Sequence, residues 1–241
     1  RMAMCLIWSR IHPVSYDSAR GQNHAGSQLD QCMGEMPTPA HLPAPIAASY
    51  DRVIGPIERM VFEEHRRWLG EGAKGCVLDL GGGTGRQVEH LRGADRIILV
   101  EPDPRMHRHA QARSGVGPEI SIITGQGEAL PLADGSCDHV VASLVLCTVR
   151  DVRLTLAEAH RVLRPGGEFR FFEHVADDGA GGLLQRAINP LWGKIAGGCQ
   201  LTRTPVEAVR ATPGLCVESV DRLSVGVPPV YPCVRGVATA E

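Results

Sequence analysis

Cys76-Val-Leu-Asp-Leu-Gly-Gly-Gly-Thr-Gly85 is the stretch on which the fold turns. Its first five residues form a short apolar run, which reads as a buried strand. The glycines that follow permit a tight turn and let a ligand approach the backbone closely. Residues 86–91 read as a helix whose N-terminus presents free N–H groups. Strand, glycine turn and helix in that order mark a unit that takes a nucleoside. About one such unit later, a second strand, Arg96-Ile-Ile-Leu-Val100, runs into Glu101. A carboxylate at that point can accept both ribose hydroxyls of an adenosine.

Two cofactor classes satisfy these features, dinucleotides and S-adenosylmethionine. Asp79 helps to separate them. A carboxylate beside the loop repels a pyrophosphate but suits the ammonium of a methionyl group, directly or through water. A plain capping role for Asp79 within the turn stays open.

Outward from this loop the chain alternates. Residues 57–69 have the apolar spacing of an amphipathic helix, and 104–113 read as a helix with proline in its first turn. Residues 120–123 and 138–143 read as the third and fourth strands. Residues 151–163 form a helix stopped by Arg164-Pro-Gly-Gly167, and 167–175 a fifth strand. Residues 217–223 and 231–240 supply two more. The expected fold is α/β, a doubly wound, mostly parallel seven-stranded sheet of Rossmann-like type. Strand ends at 80, 101, 124, 143 and 174 would then surround one crevice, where such sheets bind ligands.

Residues 1–45 lack this periodicity. They mix Ser, Gln, Gly and His and end in Pro37, Pro39, Pro43 and Pro45, which predicts a disordered extension ahead of a domain at 46–241. Met33 and Met36 stand just before the patterned body, so the natural start is expected near Met36, with 1–35 as upstream sequence.

Of the 241 residues 43% are hydrophobic and 22% charged, which argues against a wholly disordered chain. A net charge of −2 and an aromatic content of 4% argue against nucleic acid as a partner. Apolar runs fall well short of the ~20 residues of a membrane span, and no convincing signal peptide is seen. None of the eight cysteines forms a CxxC pair or a zinc-ligand spacing, so no metal is expected. A cytoplasmic, reducing location is the plainest expectation. Oligomeric state is not legible.

The segments VLDLGGGTG, VEPDPRM, GQGEALPLADGSCDHVVASLVLCTV and AHRVLRPGGEFRFFEHV resemble, in order, successive motifs of class I S-adenosylmethionine-dependent methyltransferases of the methyltransferase-11 group. The likeness runs over about residues 49–240. More narrowly, EHV with NPLWGKIAGGCQLTR and YPCVRGVATA resembles the alkyl-thiol methyltransferases. The resemblance implies methyl transfer from S-adenosylmethionine to a small-molecule acceptor. It places Asp79, Gly81, Gly83 and Gly85 around the methionine part of the cofactor. Glu101 becomes the ribose acid with Pro102 beside it. Gln126, Gly127 and Glu128 flank the adenine, although many relatives have Asp-Ala at 126–127. Ser143 and Leu144 line the cofactor, and Tyr50 belongs to an element folding over it.

Methyl transfer demands alignment and exclusion of water more than acid–base chemistry. His174, at the end of the fifth strand, is the expected catalytic base. Cys147, Asn189, Trp192, Arg203 and Tyr231 are candidates for the acceptor pocket, with a buried core thiol at Cys147 and a solvated side chain at Arg203 as the plainer alternatives. Residues 63–67 and 105–109 read as solvated helix faces, and 179–182 with the segment after it as a lid or substrate wall. The competing functional readings are a non-catalytic S-adenosylmethionine-binding protein and a nicotinamide-dependent oxidoreductase.

Overall fold

The computed structural model describes residues 55–113 and 117–241. The expectations for residues 1–45 and for Tyr50 lie outside the described residues.

Val77, Leu78, Asp79 and Leu80 are all buried, so β1 (Cys76–Leu80) must be covered on both faces. It lies at the sheet centre, parallel to β2 (Arg96–Val100) on one side and to β4 (Cys137–Ser143) on the other. β3 (Glu119–Ile123) pairs with β2, and β5 (Leu163–His174) pairs with β4, again parallel. β7 (Cys233–Ala240) runs antiparallel between β5 and β6 (Leu215–Leu223). The order is β3-β2-β1-β4-β5-β7-β6, so the winding reverses between β1 and β4. The carboxyl ends of those two strands therefore diverge and open a crevice.

Strand alternation assigns the two cores. Leu78 and Leu80 join Val140, Phe169, Phe171, Leu156 and Val162 on one face. Val77 joins Ile97, Leu99, Val141 and Ala110 on the other. Phe169, Phe171 and Phe172 are fully buried, worth roughly 1.5–3 kcal/mol each in removed apolar surface. The covering helices are α1 (Gly55–Gly70), α2 (Pro104–Arg113), α3 (Val152–Val162), α4 (Ala180–Ile195) and α5 (Pro205–Arg210). α3 is capped by Asp151, which accepts from the N–H groups of Arg153 and Leu154. Among the described residues no helix is long and apolar enough to cross a membrane.

Three expectations are corrected. Residues 86–91 do not form an α-helix; only a 3-10 turn, Val88–His90, follows the glycine loop. Successive three-residue hydrogen bonds, Val88 N–H to Gly85, His90 N–H to Gln87 and Leu91 N–H to Val88, tighten it before Gly93. Second, 63–67 is not a uniformly solvated face. His65 is buried and stacks on Phe172 at 4.8 Å, because α1 lays Phe62, His65 and Leu69, three and four residues apart, on the sheet. Third, in α2 Met106 is buried and His107 Nε2 meets the Glu101 carbonyl at 3.0 Å, so 105–109 is only partly solvated. Gly179 caps α4, and residues 180–182 form its first turn. Gly182 permits the contact, since a Cβ there would lie 2.0 Å from the Asp177 carbonyl oxygen. Gln185 then pins α4: its buried amide donates to the Val175, Pro229 and Tyr231 carbonyls and accepts from Asp177 N–H.

Candidate active site

Asp79 is the last residue but one of β1, one of the two strands that part at the crevice. It is 1% exposed, and its Oδ2 has no hydrogen-bond partner. Burial pushes its carboxyl up to about 7; Arg66 opposes this and Glu101 adds to it. A buried carboxylate with an orphaned oxygen is a site prepared for a cation. The loop beside it turns through positive φ at Gly81 (62°), Gly83 (55°) and Gly85 (76°). At Gly81 a Cβ would sit 2.1 Å from Val145 Cγ2, whereas at Gly83 only the Gly81 carbonyl, 4.0 Å away, comes near. The turn is thus packed tightly from behind at Gly81 and open at Gly83. Gly81→Ala should destabilise the protein by roughly 2–4 kcal/mol, from left-handed strain and overpacking. Chemical denaturation measures that loss, and calorimetry should show cofactor affinity falling at least tenfold; a variant equal to wild type in both would show the turn to be unconstrained.

Glu101 is buried past the end of β2. Its Oε2 accepts from Gly83 N–H at 3.0 Å and its Oε1 from Asp103 N–H at 2.9 Å. Burial raises its pKa, and those two N–H donors oppose the rise. The carboxylate therefore braces the glycine loop with lone pairs to spare. Pro102 follows it, half-buried.

The segment expected to flank adenine is held against α3. Gln126 Oε1 accepts from Arg150 Nη2 at 2.7 Å. Glu128 Oε1 accepts from the N–H groups of Arg150 and Asp151 at 2.7 and 3.2 Å. At Gly127 a Cβ would lie 2.9 Å from Thr155 Cγ2, so glycine lets the segment lie close to α3.

At the end of β4, Ser143 Oγ is buried and unpartnered, and the next residue, Leu144, takes a positive φ of 57°. The turn this begins is gripped by a residue that the sequence reading missed. Glu173 is fully buried, and its carboxylate accepts from the N–H groups of Val145 and Leu146 at 2.8 Å and of Cys147 at 3.3 Å. Burial pushes its pKa up to about 7 against those three donors and His174. The signal in the sequence is an acid directly after the apolar pair Phe171-Phe172, at the end of a strand.

The residue after Glu173, His174, is 1% exposed, with Nε2 3.1 Å from Cys199 Sγ. Cys147, His174 and Cys199 converge, their ligand atoms all within 4.8 Å of one another. The hydrogen bond between the two thiols draws Cys199 down and pushes Cys147 up; burial opposes the first shift and adds to the second. Leu201, Ile188, Trp192, Ala196 and Val230 make an apolar wall around the sulfurs. Arg203, expected to be solvated, is half-buried and donates through Nη1 to the Leu146 carbonyl. Asn189 accepts from Leu201 N–H at 2.7 Å and donates to Gln200 at 2.9 Å, tying α4 to the Cys199 segment. Tyr231 is 38% exposed, and its carbonyl accepts from Gln185. Of the acceptor candidates, Cys147, Trp192 and Arg203 gather about His174 and Cys199, whereas the Asn189 amide is engaged in holding the wall.

Residues 78–171 match the methyltransferase-domain family. The chain belongs to the class I S-adenosylmethionine-dependent methyltransferases: it is an enzyme that uses S-adenosylmethionine to methylate small molecules. Among its relatives, human thiol S-methyltransferase TMT1B is 33% identical over 169 residues, 68% of this chain and 69% of that protein. Human thiol S-methyltransferase TMT1A is 31% identical over 66% of this chain and 68% of that protein. The fold is that of the methyltransferase solved with the Haloferax volcanii Trm112 activator, with a TM-score of 0.64 at 21% identity over 81% of this chain and 96% of that one. It is also that of N-methyltransferase NodS from Bradyrhizobium japonicum solved with S-adenosyl-L-homocysteine, with a TM-score of 0.58 at 18% identity over 74% and 86% of the two chains.

Proposed function

We propose that the methyl acceptor is a thiol and that methylation falls on its sulfur. The observation that carries this is the buried, sulfur-lined corner at the ends of β4 and β5, where Cys147, His174 and Cys199 converge beside Trp192 and Leu201. A thiol is a weak hydrogen-bonding group and enters such a corner with little desolvation. Its pKa of about 8.5 requires only modest help to ionise. Two relatives that carry thiol S-methyltransferase in their names support the same choice.

When bound, S-adenosylmethionine supplies an electrophilic sulfonium methyl. Asp79 holds the methionyl ammonium, for which its orphaned Oδ2 is the available acceptor. Glu101 accepts from the ribose hydroxyls while its N–H partners keep the glycine loop in place. Gly81, Gly83 and Gly85 keep that loop clear of side chains. Gln126, Gly127 and Glu128 border the adenine, Pro102 lies beside the ribose, and Ser143 and Leu144 line the way to the acceptor. Glu173 sets the turn that separates cofactor from acceptor. His174 promotes loss of the acceptor proton, and Trp192, Arg203, Asn189 and Tyr231 bound the acceptor's pocket.

Incubation with methyl-labelled cofactor and parallel sets of alkyl and aryl thiols, phenols and amines tests the reading. Labelled thioethers are expected from the thiols. Labelled phenol ethers or methylamines without thioether would overturn it. His174→Gln should lower thiol turnover by about 10²-fold, within the usual range for a group assisting proton loss. Cofactor affinity measured by calorimetry should change less than about twofold. Unaltered turnover removes His174 from the mechanism.

A further inference from the structure

Three segments far apart in sequence deliver the Cys147–His174–Cys199 cluster, and each is held by backbone bonds. Cys147 sits in the turn after β4, whose N–H groups end on Glu173. His174 closes β5, where its backbone pairs with Cys233. Cys199 lies between α4 and α5; its own N–H bonds to Ala196, and the N–H of the next residue, Gln200, donates to the Cys147 carbonyl at 2.8 Å. The amide of Asn189 fixes Gln200 and Leu201 from the other side. All three side chains are buried. The protein has therefore brought two thiols and one imidazole together against an apolar wall, with the half-buried Arg203 guanidinium beside them, by backbone and amide bonds that do not involve the thiols or the imidazole.

The spacing matches a coordination shell. Around a tetrahedral soft cation with bonds of about 2.3 Å to sulfur and 2.0 Å to nitrogen, ligand atoms stand roughly 3.5–4 Å apart. Here Nε2 of His174 and Sγ of Cys199 are 3.1 Å apart, and all three ligand atoms lie within 4.8 Å of one another. Movements of a few tenths of an ångström up to about 1 Å would seat an ion. Two thiolates balance a divalent charge, and soft sulfur with imidazole favours zinc over magnesium or calcium. Three protein ligands leave one tetrahedral position open, as in catalytic rather than structural zinc sites.

We propose that Cys147, His174 and Cys199 bind one zinc ion, or another soft divalent cation, whose open position takes the acceptor thiol as a thiolate. This rests on the thiol reading above for the identity of the fourth ligand, but not for the three protein ligands. On coordination the acceptor S–H bond breaks and its proton passes to solvent. The acceptor sulfur then supplies the electron pair for the new S–CH3 bond. The methyl–sulfonium bond breaks, with its electron pair going to the cofactor sulfur, and no oxidant or reductant is needed. His174 assists proton loss through the ion it ligates rather than by taking the proton itself.

The full-length chain, expressed with zinc and desalted, should retain about one zinc per chain by elemental mass spectrometry. Cobalt in place of zinc should give a thiolate-to-metal absorption band that gains intensity when an alkanethiol is added. Zinc should also slow iodoacetamide labelling of Cys147 and Cys199, which needs no variant and so is free of folding defects. Cys147→Ser and Cys199→Ser should lose the ion while keeping a wild-type far-ultraviolet circular dichroism spectrum, and Cys216→Ser, an exposed thiol on β6, should keep it. Loss of all zinc to a mild chelator wash, a Cys147–Cys199 disulfide in the isolated protein, or equal labelling with and without zinc would overturn the site. Zinc bound without any thiol-dependent change in the cobalt band would refute the open position. Thiol methylation by a metal-free protein that still depends on His174 would leave the thiol reading standing and remove the ion.

Discussion

Asp79→Asn is expected to strengthen the cofactor-free protein at pH 8 and to weaken its hold on S-adenosylmethionine. The two effects share a cause. The Asp79 carboxyl lies in a buried place with Oδ2 unpartnered, and its pKa is raised from 3.8 to about 7. The folded state thus holds a proton that the unfolded chain has already released. A carboxyl shifted in this direction contributes most to stability below the unfolded pKa, near 3.8, and the contribution fades as pH climbs through about 7. At pH 8 the buried charge costs the apo protein on the order of 4 kcal/mol relative to a neutral group. Asparagine removes that cost, so urea denaturation should show the variant gaining at pH 8 and not at pH 4. Equal stability differences at the two pH values would show that Asp79 is solvated.

Binding follows the opposite course. The methionyl ammonium should find its partner in ionised Asp79, so wild-type affinity should rise nearly tenfold per unit at pH values below about 7. It should level off there, before the ammonium itself begins to lose its proton at around pH 8. The variant should bind about 10²-fold more weakly at pH 7 and show little of the rise. Calorimetry across pH 5.5–7.5 measures both. A parallel rise in wild type and variant would mean that another group holds the ammonium.

Glu173→Ala should be the most destabilising of these substitutions. The substitution leaves the N–H groups of Val145, Leu146 and Cys147 without an acceptor in a buried turn. At roughly 1–3 kcal/mol for each unmet donor, less what relaxation and water recover, the loss should be about 4 kcal/mol. Glu173→Gln keeps an oxygen for the 2.8 Å pair from Val145 and Leu146, and should lose about half as much. Chemical denaturation gives the ranking. Alkylation of Cys147 in the folded protein should speed up in the order wild type, Gln, Ala as the turn loosens. Equal stability for the two variants would mean that side-chain volume, and not the acceptor oxygens, holds the turn.

The sheet could be read from residues because its code is local. A short, β-branched run such as Ile97-Ile98-Leu99-Val100 reads as a strand buried on both faces, and Asp151 ahead of Val152 marks a helix start. Both belong to contiguous residues and survive without tertiary information. The composition of residues 86–91 suits a helix, but the chain makes only a 3-10 turn at Val88–His90 on its tight path from Gly85 to Gly93, which composition does not record. His65 was misread because residues 63–67 are charged, although its spacing from Phe62 and Leu69 already placed it on the apolar face.

By itself the sequence determined the alternation of strands and helices, the glycine turn after β1, and the carboxylates at 79 and 101 that frame it. These depend on hydrophobic period, backbone freedom and charge, all properties of neighbouring residues. Only the tertiary structure decided that Glu173 would hold the turn at 145–147, and that Cys147, His174 and Cys199 would meet. Those groups stand 25 or more residues apart along the chain. Their meeting is set by strand order and by the return of the chain through α4, so no spacing rule for adjacent cysteines could reveal it.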